Sequence, residues 1–284
     1  MDLLAHWGLT ERPFEPTWDT RFFYEGREYD EALSRLDFLA GEQTMLLGLL
    51  TGEVGCGKTV TRAVFAEQLA ELPEYHVVTL ENSAFGFNEL LGFVLRELEP
   101  DAGSPFRTKY SRYERFNAVM ERLTEAGRHL VLLFDEAQEM SPATLNELKL
   151  LTNLNRAGQG RLTVILVGQP ELRERVARLP AIDQRIGLRF HLNPLSCAES
   201  AEYLRHRLQV AGHPTGELFT PEAVESAIQN SQGVPRELNR IAKLALEFAW
   251  VNEYPEVTTV AITAVARDLT AQQRLTKDVA SAVN

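Results

Sequence analysis

Short apolar runs alternate with amphipathic stretches along the first two thirds of the chain. The apolar runs predict buried strands at Met45–Leu50, Tyr75–Leu80, His129–Phe134, Leu162–Val167 and Leu188–Leu192. Between them, apolar residues recur at helical spacing, which predicts helices over Glu28–Ala40, Lys58–Leu72, Phe87–Leu98, Ser111–Glu125, Pro142–Leu154 and Glu171–Arg178. Continuously apolar strands that alternate with helices are typical of a parallel sheet sandwiched by helices. The predicted fold class is therefore α/β.

The pattern changes after Asn193 and Pro194, where no further strand is predicted. Helical spacing covers Ala198–Ala211, Pro221–Asn230 and Pro235–Val251, and more weakly Val257–Asp268. We predict four parts: an aromatic segment and helix (1–44) that pack on the core, an α/β domain (45–192), a small all-helical domain (193–269) and a tail (270–284).

The first predicted strand leads into a glycine-rich loop of eight residues, Gly52-Glu53-Val54-Gly55-Cys56-Gly57-Lys58-Thr59. The loop matches G-x-x-x-x-G-K-[ST] in full, and a predicted helix follows it. Glycines let the backbone wrap a polyphosphate with its N–H groups pointing inward, beside a helix N-terminus that favours anions. Lys58 is expected to neutralise the β- and γ-phosphates, and the Thr59 hydroxyl to ligate Mg²⁺. This Walker A pattern predicts an ATP site with Mg²⁺.

The third predicted strand ends in two carboxylates, Asp135 and Glu136. An apolar strand that ends in Asp-Glu downstream of such a loop is the Walker B pattern. Asp135 is expected to hold the Mg²⁺ shell, and Glu136 to polarise the water that attacks the γ-phosphate.

Three further polar residues complete the predicted catalytic set. Gln169 follows the fourth strand, where a side chain would reach the γ-phosphate or the water. Arg185 precedes the last strand, and Arg236 begins a helix of the small domain. An arginine can stabilise charge on a transferring phosphoryl group, from its own subunit or from a neighbour.

Composition narrows the function classes further. The formal net charge is −11, which disfavours general binding to polyanions, because phosphate affinity comes from Lys and Arg. Only Cys56 and Cys197 are present, as in proteins of a reducing cytoplasm. The start of the chain does not resemble a signal peptide. No apolar stretch is close to the length of about 18 residues that a membrane helix needs. We expect a cytoplasmic protein without direct membrane insertion, brought to the inner membrane by a partner.

These motifs together resemble an AAA+ ATPase, and more narrowly the ExeA-like (general secretion pathway A) family. The resemblance rests on the opening "GLTERPFEPTWDTRFFYEGREYDEALSRLDF" and on "LLTGEVGCGKT", "LLFDEAQEM", "LVGQPEL", "DQRI" and "GVPRELNR". It implies an ASCE sheet, a helical lid, a ring or filament of identical subunits with nucleotide at their interface, Gln169 as sensor 1, Arg185 as arginine finger and Arg236 as sensor 2. It also implies that Tyr24, Arg27 and Glu28 lie near the adenine edge. Cys56 and Val60 depart from the family, which usually carries small hydroxyl residues there.

Two functions are consistent with these motifs. One is an ATPase that assembles or remodels a secretion or type IV pilus apparatus through protein contacts. The other is a DNA-binding ATPase of transposition or target selection, since the TniB and TnsC proteins are similar in these motifs. Arg107, Lys109, Arg112 and Arg115 alternate with aromatic residues, as on a nucleic-acid platform. However, Tyr113, Phe116, Met120 and Leu123 fall at helical spacing, which favours a core role for the apolar side chains.

Overall fold

A computed structural model of the chain describes residues 2–16, 19–42, 47–100, 108–152 and 161–282, with side chains described as far as residue 272. The strands are β1 (Leu47–Gly52), β2 (Tyr75–Leu80), β3 (His129–Phe134), β4 (Leu162–Gly168) and β5 (Ile186–Leu192). The helices are α1 (Leu3–Trp7), α2 (Arg27–Gly41), α3 (Lys58–Ala70), α4 (Phe87–Leu98), α5 (Lys109–Glu125), α6 (Pro142–Glu147), α7 (Lys149–Thr152), α8 (Pro170–Ala177), α9 (Pro180–Asp183), α10 (Cys197–Val210), α11 (Pro221–Ser231), α12 (Pro235–Val251) and α13 (Thr259–Ala282).

The five strands form one parallel sheet in the order β2-β3-β4-β1-β5. β1, β3 and β4 are buried at every position, as continuous apolar runs predict. Because all strands point the same way, the loops after β1, β3 and β4 leave the sheet at one edge. The predicted α/β sandwich with a helical C-terminal region is confirmed.

Contacts between residues divide the chain into two compact units. The α/β unit consists of Arg27–Val54 and Lys58–Asn193. The helical unit consists of Met1–Gly26, Gly55–Gly57 and Pro194–Asn284.

Met1–Gly26 belongs to the helical unit and α2 belongs to the α/β unit, and the predicted boundaries at residues 44 and 193 stay predictions. Arg207 of α10 explains how the opening segment packs within the helical unit. It is buried, and its guanidinium donates to the carbonyls of Pro13 (2.6 Å) and Glu15 (3.0 Å) while lying 4.5 Å from the centroid of the Phe22 ring. A buried arginine needs such partners, so it fixes Pro13, Glu15 and Phe22 against the bundle.

Several short elements differ from the sequence prediction. The first helix, α1, lies in the aromatic opening segment, where no helix was predicted before Glu28, and Gly8 in a left-handed conformation ends it after five residues. Five residues are too few to show a helical period. The single helix predicted over Pro142–Leu154 is divided into α6 and α7, because the Leu148 N–H is shared between the carbonyls of Thr144 and Leu145. Its last residues, 153–154, lie outside the described part of the chain.

His129, the first residue of β3, makes the stability of the α/β unit depend on pH. Burial, and secondarily the Arg161 charge, lower its pKa from 6.5 to about 4, and its Nε2 lies 2.9 Å from Thr163 Oγ1. The unfolded chain therefore binds a proton at His129 between about pH 6.5 and pH 4 that the folded chain does not bind. We expect this group to remove up to about 3 kcal/mol of unfolding free energy as pH falls through that window.

Urea unfolding of the parent and of His129→Gln, each at pH 7 and pH 5, measures this contribution. The parent should lose more stability between the two values than the variant, because glutamine does not titrate. An equal loss in both proteins would show that His129 is not responsible.

Candidate active site

The Walker A loop has the backbone that its glycines predict. Gly55 and Gly57 have φ angles of 89° and 91°, in the region that residues with a Cβ rarely adopt. Lys58 begins α3, is buried, and its Nζ donates to the carbonyls of Gly52 (2.8 Å) and Glu53 (2.9 Å). The ammonium is thus held inside the curve of the loop at the N-terminus of α3, an arrangement suited to phosphate oxygens.

Within the helical unit, Arg236 lies against the glycine segment of the loop. Its backbone N–H donates to the carbonyl of Gly55 at 3.2 Å. A Cβ at Gly55 would lie 2.7 Å from the Arg236 Cβ and 3.1 Å from Val234 Cγ1. Glycine is therefore needed at position 55 for two reasons: its positive φ angle and the close approach of α12. The predicted sensor 2 residue starts next to the loop, with its side chain exposed.

The Walker B aspartate forms a buried ion pair. Asp135 Oδ2 lies 3.1 Å from Arg62 Nε, with the two side chains 4% and 5% exposed. Asp135 Oδ1 accepts from the Glu136 N–H at 2.9 Å, and the Ser83 hydroxyl donates to the Asp135 carbonyl at 2.6 Å. The buried carboxylate is compensated by a cation and by hydrogen bonds, as burial of a charge requires.

The ion pair involves one of the two predicted Mg²⁺ ligands, Asp135, and the metal role of Asp135 and Thr59 stays a prediction. Thr59 precedes Arg62 by three residues on α3, so both lie on the helix face that contacts Asp135. Mg²⁺ at nucleotide sites takes one or two protein oxygens and completes its shell with phosphates and water. A hydroxyl and a carboxylate fit that requirement. Among the described residues, no group of three or more His, Cys, Asp or Glu could hold a metal on its own.

Glu136 has an unusual backbone conformation and a fixed side chain. Its φ of 48° and ψ of 38° are left-handed, which is uncommon for a residue other than glycine and is often found at functional sites. Its Oε2 accepts from Gln138 Nε2 at 2.5 Å. Gln138 Oε1 in turn accepts from the backbone N–H of Gln169 at 3.0 Å. The structure thus joins the predicted catalytic carboxylate to the predicted sensor 1 residue.

Arg185 lies at the amino ends of the strands, opposite to the end of the sheet where the Walker motifs lie. β1 and β5 are parallel, with Leu47 paired to Ile186 and Gly52 paired to Leu192. Arg185 precedes Ile186, so it is separated from the level of Gly52 by about the length of β5, roughly 20 Å at 3.3 Å per residue. It is exposed and donates to the carbonyl of Ala181. An arginine in this position is too far from the phosphate loop of its own subunit to contact a phosphate bound there.

The residues that the resemblance assigns to adenine fall in both units. Tyr24 is in the helical unit, where its hydroxyl donates to Glu202 at 2.6 Å and its ring packs edge-on against Tyr203. Arg27 is exposed at the start of α2 in the α/β unit, and Glu28 accepts from Asn193. Their role toward the base stays a prediction.

The other predicted loop residues differ in exposure. Val54 is 52% exposed at the tip of the loop, Cys56 is fully buried, and Val60 is half-buried on α3. The Cys56 thiol is therefore enclosed by the fold.

The basic residues of α5 are engaged within the protein. Lys109 pairs with Glu147 at 2.5 Å, Arg115 pairs with Glu99 at 2.7 Å, and Arg112 donates to the carbonyl of Asn88 at 2.6 Å. Arg107, the fourth cation of the possible platform, lies outside the described residues. Phe116 and Met120 are buried in the core, as their spacing predicts.

Three side chains of this site were not predicted from the sequence: Arg62, Gln138 and Arg175. Arg175 of α8 donates to the carbonyls of Gln138 and Met140. Arg62 follows Lys58 by one helical turn, and Gln138 follows Glu136 by two residues. This spacing puts each near a motif residue, but neither belongs to the general Walker patterns, so only the folded chain reveals their partners.

None of the helices that the structure describes is both long enough and apolar enough to span a membrane.

Comparisons with known proteins identify a domain family and a curated relative. Residues 42–176 match the family model described as an AAA domain. The chain is 34% identical over 244 residues to general secretion pathway protein A of Aeromonas hydrophila, across 84% of this chain and 43% of that protein. The chain thus spans less than half the length of this curated relative.

Solved structures share the fold at low sequence identity. The ORC2 protein of Aeropyrum pernix superposes with a TM-score of 0.65 at 19% identity, over 90% of this chain and 71% of that one. Cdc6p of Pyrobaculum aerophilum superposes with a TM-score of 0.64 at 18% identity, over 84% and 68%. At such identities the likeness extends to the fold alone.

Proposed function

The chain carries an AAA domain and belongs to the AAA+ class of P-loop proteins, and we propose that it hydrolyses Mg-ATP as a molecular switch. The observation that carries this proposal is the convergence of motifs at one edge of the sheet. The loop that holds Lys58 follows β1, Asp135 and Glu136 follow β3, and Gln169 follows β4, which lies between those strands.

Each residue has a role that follows from its chemistry. Lys58 and the N–H groups of residues 52–59 bind the β- and γ-phosphates, while Thr59 and Asp135 hold Mg²⁺, which neutralises charge on the phosphate oxygens. Glu136 accepts a proton from the attacking water, and its backbone conformation aims the carboxylate from a fixed position. Gln169 orients the water or the γ-phosphate.

The proposed assembly is a ring or filament of identical subunits. Arg185 lies at the end of the sheet opposite to Gly52, which begins the phosphate loop, and this supports a role at the γ-phosphate of a neighbouring subunit. A head-to-tail interface brings opposite edges of successive subunits together and repeats in rings or filaments. Arg236, whose backbone N–H donates to the Gly55 carbonyl, is proposed to act as the sensor 2 residue.

The proposed biological role is assembly or remodelling of a secretion or type IV pilus apparatus through protein contacts. The similarity to general secretion pathway protein A supports this role. The chain spans 43% of that relative, so the partner and the cytoplasmic site beside the inner membrane belong to the proposal. The net charge of −11 and the internal pairing of Lys109 and Arg115 favour protein contacts over DNA.

Binding to duplex DNA separates this role from the transposition-type alternative. We expect weak binding near physiological salt, with or without a non-hydrolysable ATP analogue, because each phosphate contact needs a cation that is not already paired. Fluorescence anisotropy of labelled random-sequence DNA, across salt concentrations, measures this directly.

Tight binding that requires the ATP analogue would favour the DNA role instead. The logarithm of the binding constant should then fall with the logarithm of salt concentration, with a slope of about −0.9 per neutralised phosphate. Lys109→Ala should weaken this binding. Lys109 is the better test residue than Arg112, because the Arg112 guanidinium packs on Gly92 and its loss would disturb the contact between α4 and α5.

A further inference from the structure

The side-chain amide of Gln138 bridges two parts of the active site. Its Nε2 donates to Glu136 Oε2 at 2.5 Å, and its Oε1 accepts from the Gln169 N–H at 3.0 Å. The partners fix the orientation of the amide, because an ionised carboxylate only accepts and a backbone N–H only donates. One planar group thus connects the end of β3 to the end of β4.

The surroundings hold Gln138 firmly. It is 9% exposed, and the Arg175 guanidinium donates to its backbone carbonyl and to that of Met140. A Cβ on Gly168 would lie 2.6 Å from Gln138 Oε1, so the residue before Gln169 must be glycine for the amide to reach the Gln169 N–H. Arg175 and Gly168 therefore both hold or make room for this side chain, which distinguishes it from an incidental surface contact.

We propose that Gln138 is a positioning residue. Its amide makes the orientation of the Glu136 carboxylate depend on the position of the Gln169 backbone. This inference rests on the proposed role of Glu136 as the base for water. Any shift of the β4 end when Gln169 contacts the γ-phosphate reaches Glu136 through two hydrogen bonds. Because the Gln138 amide is engaged with Glu136 and with the Gln169 N–H, we expect its loss to change turnover and not ATP affinity.

Glutamine is the residue type that this link needs. A donor toward Glu136 and an acceptor toward Gln169 must lie on one side chain of this length. Methionine has similar length and volume but offers no donor, and glutamate keeps the acceptor while placing a second negative charge beside Glu136. These two substitutions therefore break the link in different ways.

The test measures kcat, KM and ATP affinity of Gln138→Met, with Gln68→Met on the exposed face of α3 as the matched control. We expect kcat to fall about 10- to 100-fold, as misplacement of a catalytic group by about 1 Å does, with ATP affinity within twofold of the parent. Gln68→Met should behave as the parent. A normal kcat, or a loss confined to ATP affinity, would overturn the proposal.

Gln138→Glu is a second variant that breaks the link differently: it keeps the acceptor toward the Gln169 N–H and loses the donor toward Glu136. It should lower kcat while ATP affinity stays within twofold of the parent, a separation that misfolding would not produce. A normal kcat in Gln138→Glu would overturn the proposal even if Gln138→Met fails to fold. Glu136→Gln is measured in parallel: if it hydrolyses ATP normally, the proposed function itself is wrong, whereas an inactive Glu136→Gln beside a normal Gln138→Met rejects this inference alone.

Discussion

Replacing Glu136 by Gln is expected to slow ATP hydrolysis about 10²- to 10⁴-fold while ATP affinity stays near that of the parent. The carboxylate acts on the attacking water as a general base, whereas Lys58 and the loop N–H groups bind the nucleotide. An amide has nearly the same shape but cannot take the proton. Steady-state phosphate release and equilibrium binding of a fluorescent ATP analogue measure the two effects separately.

The matched control is Glu139→Gln, which changes an exposed carboxylate three residues along the chain. It should hydrolyse ATP like the parent. Normal turnover in Glu136→Gln would exclude Glu136 as the base, and a comparable loss in Glu139→Gln would point to charge or folding as the cause.

Arg185→Ala is expected to bind ATP like the parent and to lose about 10³-fold in hydrolysis at concentrations where subunits assemble. An arginine that reaches a neighbour's γ-phosphate stabilises the transition state by this order of magnitude. Mixing Arg185→Ala with Lys58→Ala subunits tests the neighbour directly. One variant keeps an intact phosphate loop and the other an intact arginine, so mixed assemblies should recover part of the activity.

Arg178→Ala, at a side chain 78% exposed just after α8, is the control and should be as active as the parent. Recovery should peak at intermediate ratios of the two inactive variants. No recovery at any ratio, although both variants still assemble, would contradict action in trans.

The sequence was sufficient for the features that depend on local pattern. Apolar runs such as His129–Phe134 mark buried parallel strands, because only a sheet covered on both faces excludes polar side chains from every position. Gly55 and Gly57 mark the phosphate loop, because their left-handed φ angles require glycine. Asp135, Glu136 and Gln169 follow strands that run parallel, so they are expected together at the carboxyl ends of those strands.

The sequence was not sufficient for contacts between distant residues. Arg62 and Asp135 are 73 positions apart, and an arginine on an amphipathic helix is usually a surface residue. Arg207 lies 194 positions from Pro13, so nothing in the aromatic opening of the chain indicated that it packs on the helical unit. The tethering of Glu136 by Gln138 depends on the left-handed turn at Glu136, which residue types alone do not predict.

Phosphate release by the purified chain, compared with Lys58→Ala across protein concentration, tests most directly whether this loop hydrolyses ATP. We expect the parent to release phosphate only with Mg²⁺, and faster per subunit as concentration favours assembly. Lys58→Ala should stay at the level of buffer, because the loop loses the cation that neutralises the β- and γ-phosphates. Equal release from the two proteins at every concentration, or none from an assembled parent, would contradict the proposed ATPase.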